Sequence, residues 1–234
     1  MPVVAQQSDL QIYLYTYHKK PPFVVNEERQ EGLYYDMAKL LTRKTDNAVF
    51  RTIFLPRKRL DLMLKERTLD GVVVGVNPKW FKDPDETRYL WLPTMFTDRD
   101  EFVSLKSSPF EFTGIESLYG KSFAGVLGFY YFGVNEAVAE ERVPRIDTIG
   151  ERQVLELIEK GRADVGIVSQ SVFAYLQRKD ELPDIYHLSE RPHDEFARRA
   201  FTLKRHQDLY QVMLEATETL KDDPAWQQLL AKYR

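Results

Sequence analysis

Apolar residues recur at i, i+3 and i+4 from Leu60 to Leu64, and the same spacing returns from Val154 to Ile158. This is the mark of one face of a helix. The first stretch, residues 60–75, reads L-D-L-M-L-K-E-R-T-L-D-G-V-V-V-G. The second, residues 154–169, reads V-L-E-L-I-E-K-G-R-A-D-V-G-I-V-S. Laid over each other, Leu60, Met63, Leu64 and Asp70 meet Val154, Leu157, Ile158 and Asp164. Each copy then enters an apolar run (Val72–Val74, Gly166–Val168) of the kind found in strands buried on both faces of a helix-covered parallel sheet. Each reads as the helix-to-strand half of a βαβ unit. Two copies about 94 positions apart predict two α/β lobes, although helix-then-valine-strand also arises by chance in α/β chains.

The remaining pattern fills in around these copies. Leu10–Tyr15 alternates and predicts a first strand, stopped by Pro21 and Pro22. Phe23–Tyr34 reads as a hairpin excursion. A helix follows with Tyr34, Met37, Ala38 and Leu41 on one face and Asp36 in its first turn. Strands are expected at Val49–Leu55, Gly71–Val76, Phe102–Leu105, Phe123–Val126, Ile185–His187 and Ala200–Leu203, with Tyr89–Phe96 an ordered aromatic loop. Phe102–Leu105 is taken as the first crossing between lobes, Ser107-Ser108-Pro109 as the boundary, and Ala200–Leu203 as the return. The lobes are therefore drawn as residues 1–105 with 200–234, and residues 106–199. Two closing helices are expected to bury Leu209, Val212, Met213, Ala216 and Leu220, then Trp226, Leu229, Leu230 and Tyr233, the last helix capped by Asp223 with Pro224 at its first position.

The 234 residues suit one large or two small domains. A formal charge of −3 gives no electrostatic case for nucleic acid or an anionic membrane, and no apolar run reaches the roughly 20 residues of a spanning helix. Without cysteine there is no disulfide, thiol catalysis or cysteine metal site. Val3-Val4-Ala5 reads either as the small-residue end of a secretory signal or as an ordinary cytosolic start.

Candidate chemistry gathers where strands end, which is where open α/β sheets bind ligands. Tyr15 and Tyr17 lie near the end of the first strand, with sheet-end packing as the competing role. Gly75 and Asn77 close the Gly71–Val76 strand, and the Asn77 amide can donate or accept. Arg57, Lys58 and Arg59 open a helix against its dipole; an anionic ligand group, a buried carboxylate or plain solvation would account for them. Phe129, Tyr130, Tyr131 and Phe132 follow a strand directly. Not all four can face one core, so one or two should face a cleft. Of the histidines only His18 lies at a strand end, and a lone histidine is more often inert. Glu190–Glu195 reads as a solvated loop. No nucleophile elbow, phosphate loop or metal-ligand spacing occurs.

The order of these parts resembles the bacterial periplasmic solute-binding proteins of the amino-acid-binding family. The residues involved are Pro21-Pro22-Phe23, Gly32–Asp36, Arg59-Leu60, Asp70–Gly75, Ser117–Lys121 and Gly161–Val168, followed by the two closing helices. The resemblance spans about Leu10 to Tyr233. It implies the type II periplasmic fold: two lobes, each a mostly parallel sheet flanked by helices, joined by two crossing strands. It implies a small organic solute gripped in the interlobe cleft by hinge closure. It further implies delivery to an ABC-transporter permease, a monomer in the periplasm, no cofactor, no metal and no enzymatic activity. Implied ligand contacts are Tyr15, Tyr17, Arg57, Gly75, Asn77, Trp80, Arg88, Phe129, Tyr130, Tyr131, Ser169 and Gln170. The departures are informative. Trp80 falls where the family holds the ligand carboxylate with arginine, and Arg88 substitutes only if the intervening loop folds back. Ser169 falls where an aspartate takes the α-amino group, and Arg57 where an aromatic stacks. A standard α-amino acid is therefore not the expected ligand, and an anionic or aromatic solute is. A sensing module for a signalling partner and a dehydratase-like enzyme on the same fold are the rival functions.

Overall fold

A computed structural model describes residues 10–179 and 181–233. The signal-like Val3-Val4-Ala5 lies outside the described residues. In chain order the elements are β1 (Leu10–Thr16), α1 (Leu33–Lys44), β2 (Ala48–Phe54), α2 (Arg57–Glu66), β3 (Val72–Val76), β4 (Tyr89–Trp91), β5 (Phe96–Leu105) and β6 (Phe123–Val126). Then come α3 (Val134–Ala139), β7 (Arg145–Thr148), α4 (Glu151–Glu159), β8 (Val165–Ser169), α5 (Gln170–Arg178), β9 (Tyr186–Leu188), β10 (Asp194–Leu203), α6 (Gln207–Lys221) and α7 (Pro224–Tyr233).

Two compact units result, residues 1–97 with 197–234, and residues 98–196. The chain passes from one to the other inside β5 and returns inside β10. The expected limits at 105/106 and 199/200 lie later in the chain than these points, because β5 and β10 are each ten residues long and begin earlier than the four-residue stretches the pattern suggested. Ser107 and Ser108 lie in a turn closed by a Leu105–Ser108 bridge within the second unit. Tyr89–Trp91, expected as loop, is strand, paired antiparallel with β10. α3, β7 and α5 are present without having been anticipated.

In the first unit β2, β1 and β3 run parallel, and β10 returns antiparallel beside β3. Both faces of β1 and β3 are covered. Leu60 from α2 joins Tyr15, Val73, Phe81, Trp91 and Phe201 in one core cluster. Tyr34, Met37 and Leu41 of α1 are buried with Ile12 and Leu14. Asp36 does more than complement the helix dipole. It accepts from Lys39 Nζ, Lys232 Nζ and the Tyr233 hydroxyl, tying α7 to α1. Asp223 Oδ1 accepts from Ala225 N at 2.7 Å, so the expected cap is formed. Of the faces expected on α6 and α7, Met213, Ala216, Leu220, Trp226 and Tyr233 are buried, and Leu209, Val212, Leu229 and Leu230 are half-buried.

In the second unit β7, β6 and β8 run parallel and β5 lies antiparallel to β8. Val154, Leu155 and Ile158 of α4 are buried against this sheet. Phe102, Phe123, Tyr131, Val165 and Ile167 form the core cluster on the side of α3.

Candidate functional site

At the carboxyl ends of β1 and β3 the first unit assembles an aromatic and cationic face. Gly75 sets it up. Its φ is +76°, and a Cβ there would meet the Tyr34 hydroxyl at 1.7 Å, so only glycine allows the strand end to bend this closely over α1. The Gly75 carbonyl accepts from Arg198 Nη1 at 3.0 Å. Arg198 is buried, its guanidinium 4.3 Å from the Phe23 ring centre and 5.6 Å from Trp80. Nothing in the sequence pattern singled it out. The only signal was an arginine pair just ahead of the apolar run Ala200–Leu203.

Tyr17 lies beside His18, ring centres 4.2 Å apart, and Trp80 meets the imidazole edge-on at 5.9 Å. Arg57 reaches across from α2. Its guanidinium lies 5.0 Å from the Tyr17 ring and 4.3 Å from Phe81, Nη2 donates to the Trp80 carbonyl at 3.0 Å, and Nε pairs with Asp61 at 2.9 Å. The helix start thus holds its first cation with a carboxylate one turn on, while Lys58 and Arg59 remain exposed. Burial raises the Tyr17 phenol, opposed by Arg57 and Arg198, so the ring stays neutral. Burial and the cations Arg198, Lys20 and Arg57 push His18 well below its usual value, opposed by a hydrogen bond to the Gly75 backbone.

The other expected residues of this unit have structural partners. Tyr15 faces the core and donates to Asp70 at 2.7 Å; burial and Asp70 raise its phenol strongly. Asn77 donates to the Ala197 carbonyl and accepts from Lys79 N, capping the 3₁₀ turn Pro78–Phe81 that presents Trp80. The loop does fold back at Arg88. Asp83 accepts from the backbone N–H of Thr87, Arg88 and Tyr89 and from the Trp91 indole, and Arg88 Nη1 donates to the Phe81 carbonyl.

The second unit's strand ends differ. Of the four aromatics after β6, Tyr131 alone turns inward. Its hydroxyl accepts from Val126 N at 3.1 Å, and burial raises the phenol strongly. Phe129, Tyr130 and Phe132 are exposed, with Leu127 and Ile149. Arg145, missed by sequence reasoning, holds this loop by donating to the carbonyls of Val126 and Phe129, to Asn135 and to Asp147. Tyr130 donates to Glu136. Ser169 closes β8 and is fully buried. Its hydroxyl donates at 3.0 Å to Glu151, the buried first residue of α4. Gln170 follows half-buried at the start of α5. A carboxylate thus stands beside the serine after all, supplied by another helix at a spacing no motif marks.

Among the described residues no group of three or more metal-ligating side chains occurs, and no helix is long and apolar enough to cross a membrane.

No protein-family model matches the chain, and no curated protein matches it by sequence. Solved structures do match. The substrate binding protein of an amino acid ABC transporter is 18% identical, with a TM-score of 0.66 over 95% of this chain and 98% of that one. The GluR0 ligand-binding core from Nostoc punctiforme, in complex with L-glutamate, is 12% identical, with a TM-score of 0.72 over 95% and 98%. The ancestral amino acid-binding protein AncCDT-1, a precursor of cyclohexadienyl dehydratase, is 17% identical, with a TM-score of 0.68 over 95% of each chain. The chain accordingly has the type II periplasmic-binding fold that these solute-binding proteins share.

Proposed function

We propose that the protein is an extracytoplasmic receptor that captures a small organic solute bearing an anionic group and hands it to an ABC transporter. The observation behind this reading is the first unit's strand-end face. There Tyr17, His18 and Trp80 lie with the Arg57 and Arg198 guanidinium groups at the ends of two parallel strands. Flat rings suit a flat or apolar body, and guanidinium suits an oxyanion. We also propose Phe129, Tyr130 and Gln170 as the second unit's own ligand contacts. Tyr15, Tyr131 and Asn77 act behind the contact surface by holding it in shape, and delivery is by a monomer to a permease.

A second reading is favoured by Glu151. Beside Ser169, its buried carboxylate is a partner for an ammonium group, which restores an α-amino acid as a ligand. The likeness to the GluR0 ligand-binding core and to a dehydratase precursor is compatible with sensing and catalysis as further uses of the same fold.

A thermal-shift screen over amino acids, aliphatic carboxylates and aromatic acids separates these readings, because a ligand selective for the native state raises the midpoint. Aromatic or carboxylic acids should give the largest shifts. Larger shifts with arginine or glutamate would establish the second reading. Turnover of a prephenate-like acid would make the protein an enzyme.

A further inference from the structure

His18 carries a buried, unsatisfied ring nitrogen at the first unit's strand-end face. It is 7% exposed, and its Nε2 has no hydrogen-bond partner among the described residues. The Gly75 backbone accepts on the imidazole's other side. That fixes the neutral tautomer with its proton on Nδ1 and leaves a lone pair on Nε2. An acceptor buried without a donor is unfavourable, so the arrangement calls for an occupant.

The surroundings indicate which kind. Tyr17 flanks the ring and stays neutral, and Phe23 and Trp80 bring uncharged rings near it. The charges that weigh most on His18 are Arg198 of β10, Lys20 of the loop after β1 and Arg57 of α2, all cations. The carboxylate on this side is Asp61, one helical turn beyond Arg57 and paired with it. Positive potential around a buried, unpartnered acceptor disfavours its protonation while the face is empty. An arriving anion reverses the balance, since it screens the three cations and itself favours imidazolium.

We propose that this face takes an oxyanion, carboxylate or phosphate, against His18 Nε2, and that His18 picks up one proton from solvent as it binds. Nε2 then donates where it had carried a lone pair, and no covalent bond is made or broken. Half-buried Trp80, edge-on to the imidazole, is the ring that swings aside to admit the anion. The inference rests on the anionic-solute reading above and adds to it a proton-linked specificity residue. Capture strengthens as the surroundings acidify, because affinity rises as pH falls between the two titration points of His18, free and bound. The limiting slope is tenfold per pH unit.

With four histidines in the chain, side-chain NMR of histidine-labelled protein resolves the test. The probes are benzoate and inorganic phosphate at millimolar concentration. H18Q assigns the signal; if that variant does not fold, the signal is assigned by its contact with the Tyr17 ring. In the free protein the His18 signal should titrate below that of an ordinary histidine. One of the two probes should move its titration upward, and which probe does so tells carboxylate from phosphate. Calorimetry in buffers of differing ionisation enthalpy should show proton uptake on binding, and H18Q should flatten the pH slope. An unmoved His18 signal with both probes, binding without proton uptake, or an unchanged slope in H18Q would each overturn the proposal. A protein stabilised by neutral or zwitterionic solutes, but by neither probe, overturns this inference and leaves solute capture standing. One stabilised by no solute at all removes the receptor reading itself.

Discussion

The two units share a scaffold and differ in what they mount on it. In the first, β2-β1-β3 run parallel, and Asp70 before β3 accepts from the Tyr15 hydroxyl of β1. In the second, β7-β6-β8 run parallel, and Asp164 before β8 accepts from Ser122 N and Oγ just ahead of β6. The aspartate that stands in register in the two copies is thus a tie to the central strand in both. At the strand ends the likeness stops. The first unit encloses polar groups there, with Arg198 1% and His18 7% exposed. The second encloses Ser169 and Glu151 at the end of β8 but exposes large side chains after β6 and β7, with Leu127 67%, Tyr130 68% and Ile149 86% exposed. Function on this fold therefore resides in the loops after the strands, and the sheets supply only their placement.

The scaffold itself gives the largest expected effect. Ile158 and Leu64 occupy matching helix positions, but Ile158 is fully buried under β8 while Leu64 is half-buried at the edge of its cluster. Ile158→Ala should cost about 2–5 kcal/mol and Leu64→Ala about 1 kcal/mol, read from urea unfolding midpoints. Equal losses would mean that the two copies bear the same packing load and that the register argument overstates their difference.

How much of this was readable in the chain follows from the range of the forces involved. Although α4 buries Leu155 and leaves the expected Leu157 half-buried, the helix face of Val154 and Ile158 declares itself because a 3.6-residue period is local. The buried strands Val72–Val76 and Val165–Ser169 do so because they are continuously apolar. β7 (Arg145–Thr148) escaped because three of its four residues, Arg145, Asp147 and Thr148, are polar and only Thr148 is buried. β5 and β10 were cut short because D-R-D-E and D-E-F-A-R-R read as loop, whereas these strands are polar where they pass between units. At the candidate site, the aromatics Tyr17, Trp80 and Phe129 were visible as types. The partners that decide their roles were not. Arg198 lies 123 positions from the Gly75 it binds, and Glu151 lies 18 from Ser169, distances at which no spacing rule applies.

The contrast between strand ends can be sharpened with Trp80→Ala and Phe129→Ala, measured for affinity toward whichever solute the screen identifies. Trp80 belongs to the ring-and-cation face and should cost roughly tenfold or more in affinity, about 1.4 kcal/mol. Phe129 projects from a loop already held by Arg145 and should cost severalfold at most. The Arg57–Trp80 bond runs to a backbone carbonyl, so Trp80→Ala leaves it in place, and the thermal midpoint of the free variant checks this. The reverse ranking would move recognition to the second unit's exposed apolar loop.

The smallest effect tests the aspartate tie through pH. Hydrogen bonds from the Ser122 hydroxyl and backbone hold the Asp164 carboxyl below the usual carboxylate range, outweighing a modest opposing effect of burial. A depressed folded-state value means that the tie contributes fully above the ordinary aspartate pKa of about 3.9 and fades as pH falls through the lower, folded-state value. Asp164→Asn should therefore cost about 1 kcal/mol or less at neutral pH, since the carboxylate is solvent-exposed. It should also remove part of the acid-induced loss of stability that the unmodified protein shows below about pH 4. Ser122→Ala separates the causes: it deletes the hydroxyl donor and keeps the backbone one, so the Asp164 titration seen by NMR should move upward without reaching the ordinary value. A variant whose acid limb matches the unmodified protein's would show that the register of the two aspartates reflects turn geometry alone, with no energetic share in joining helix to sheet.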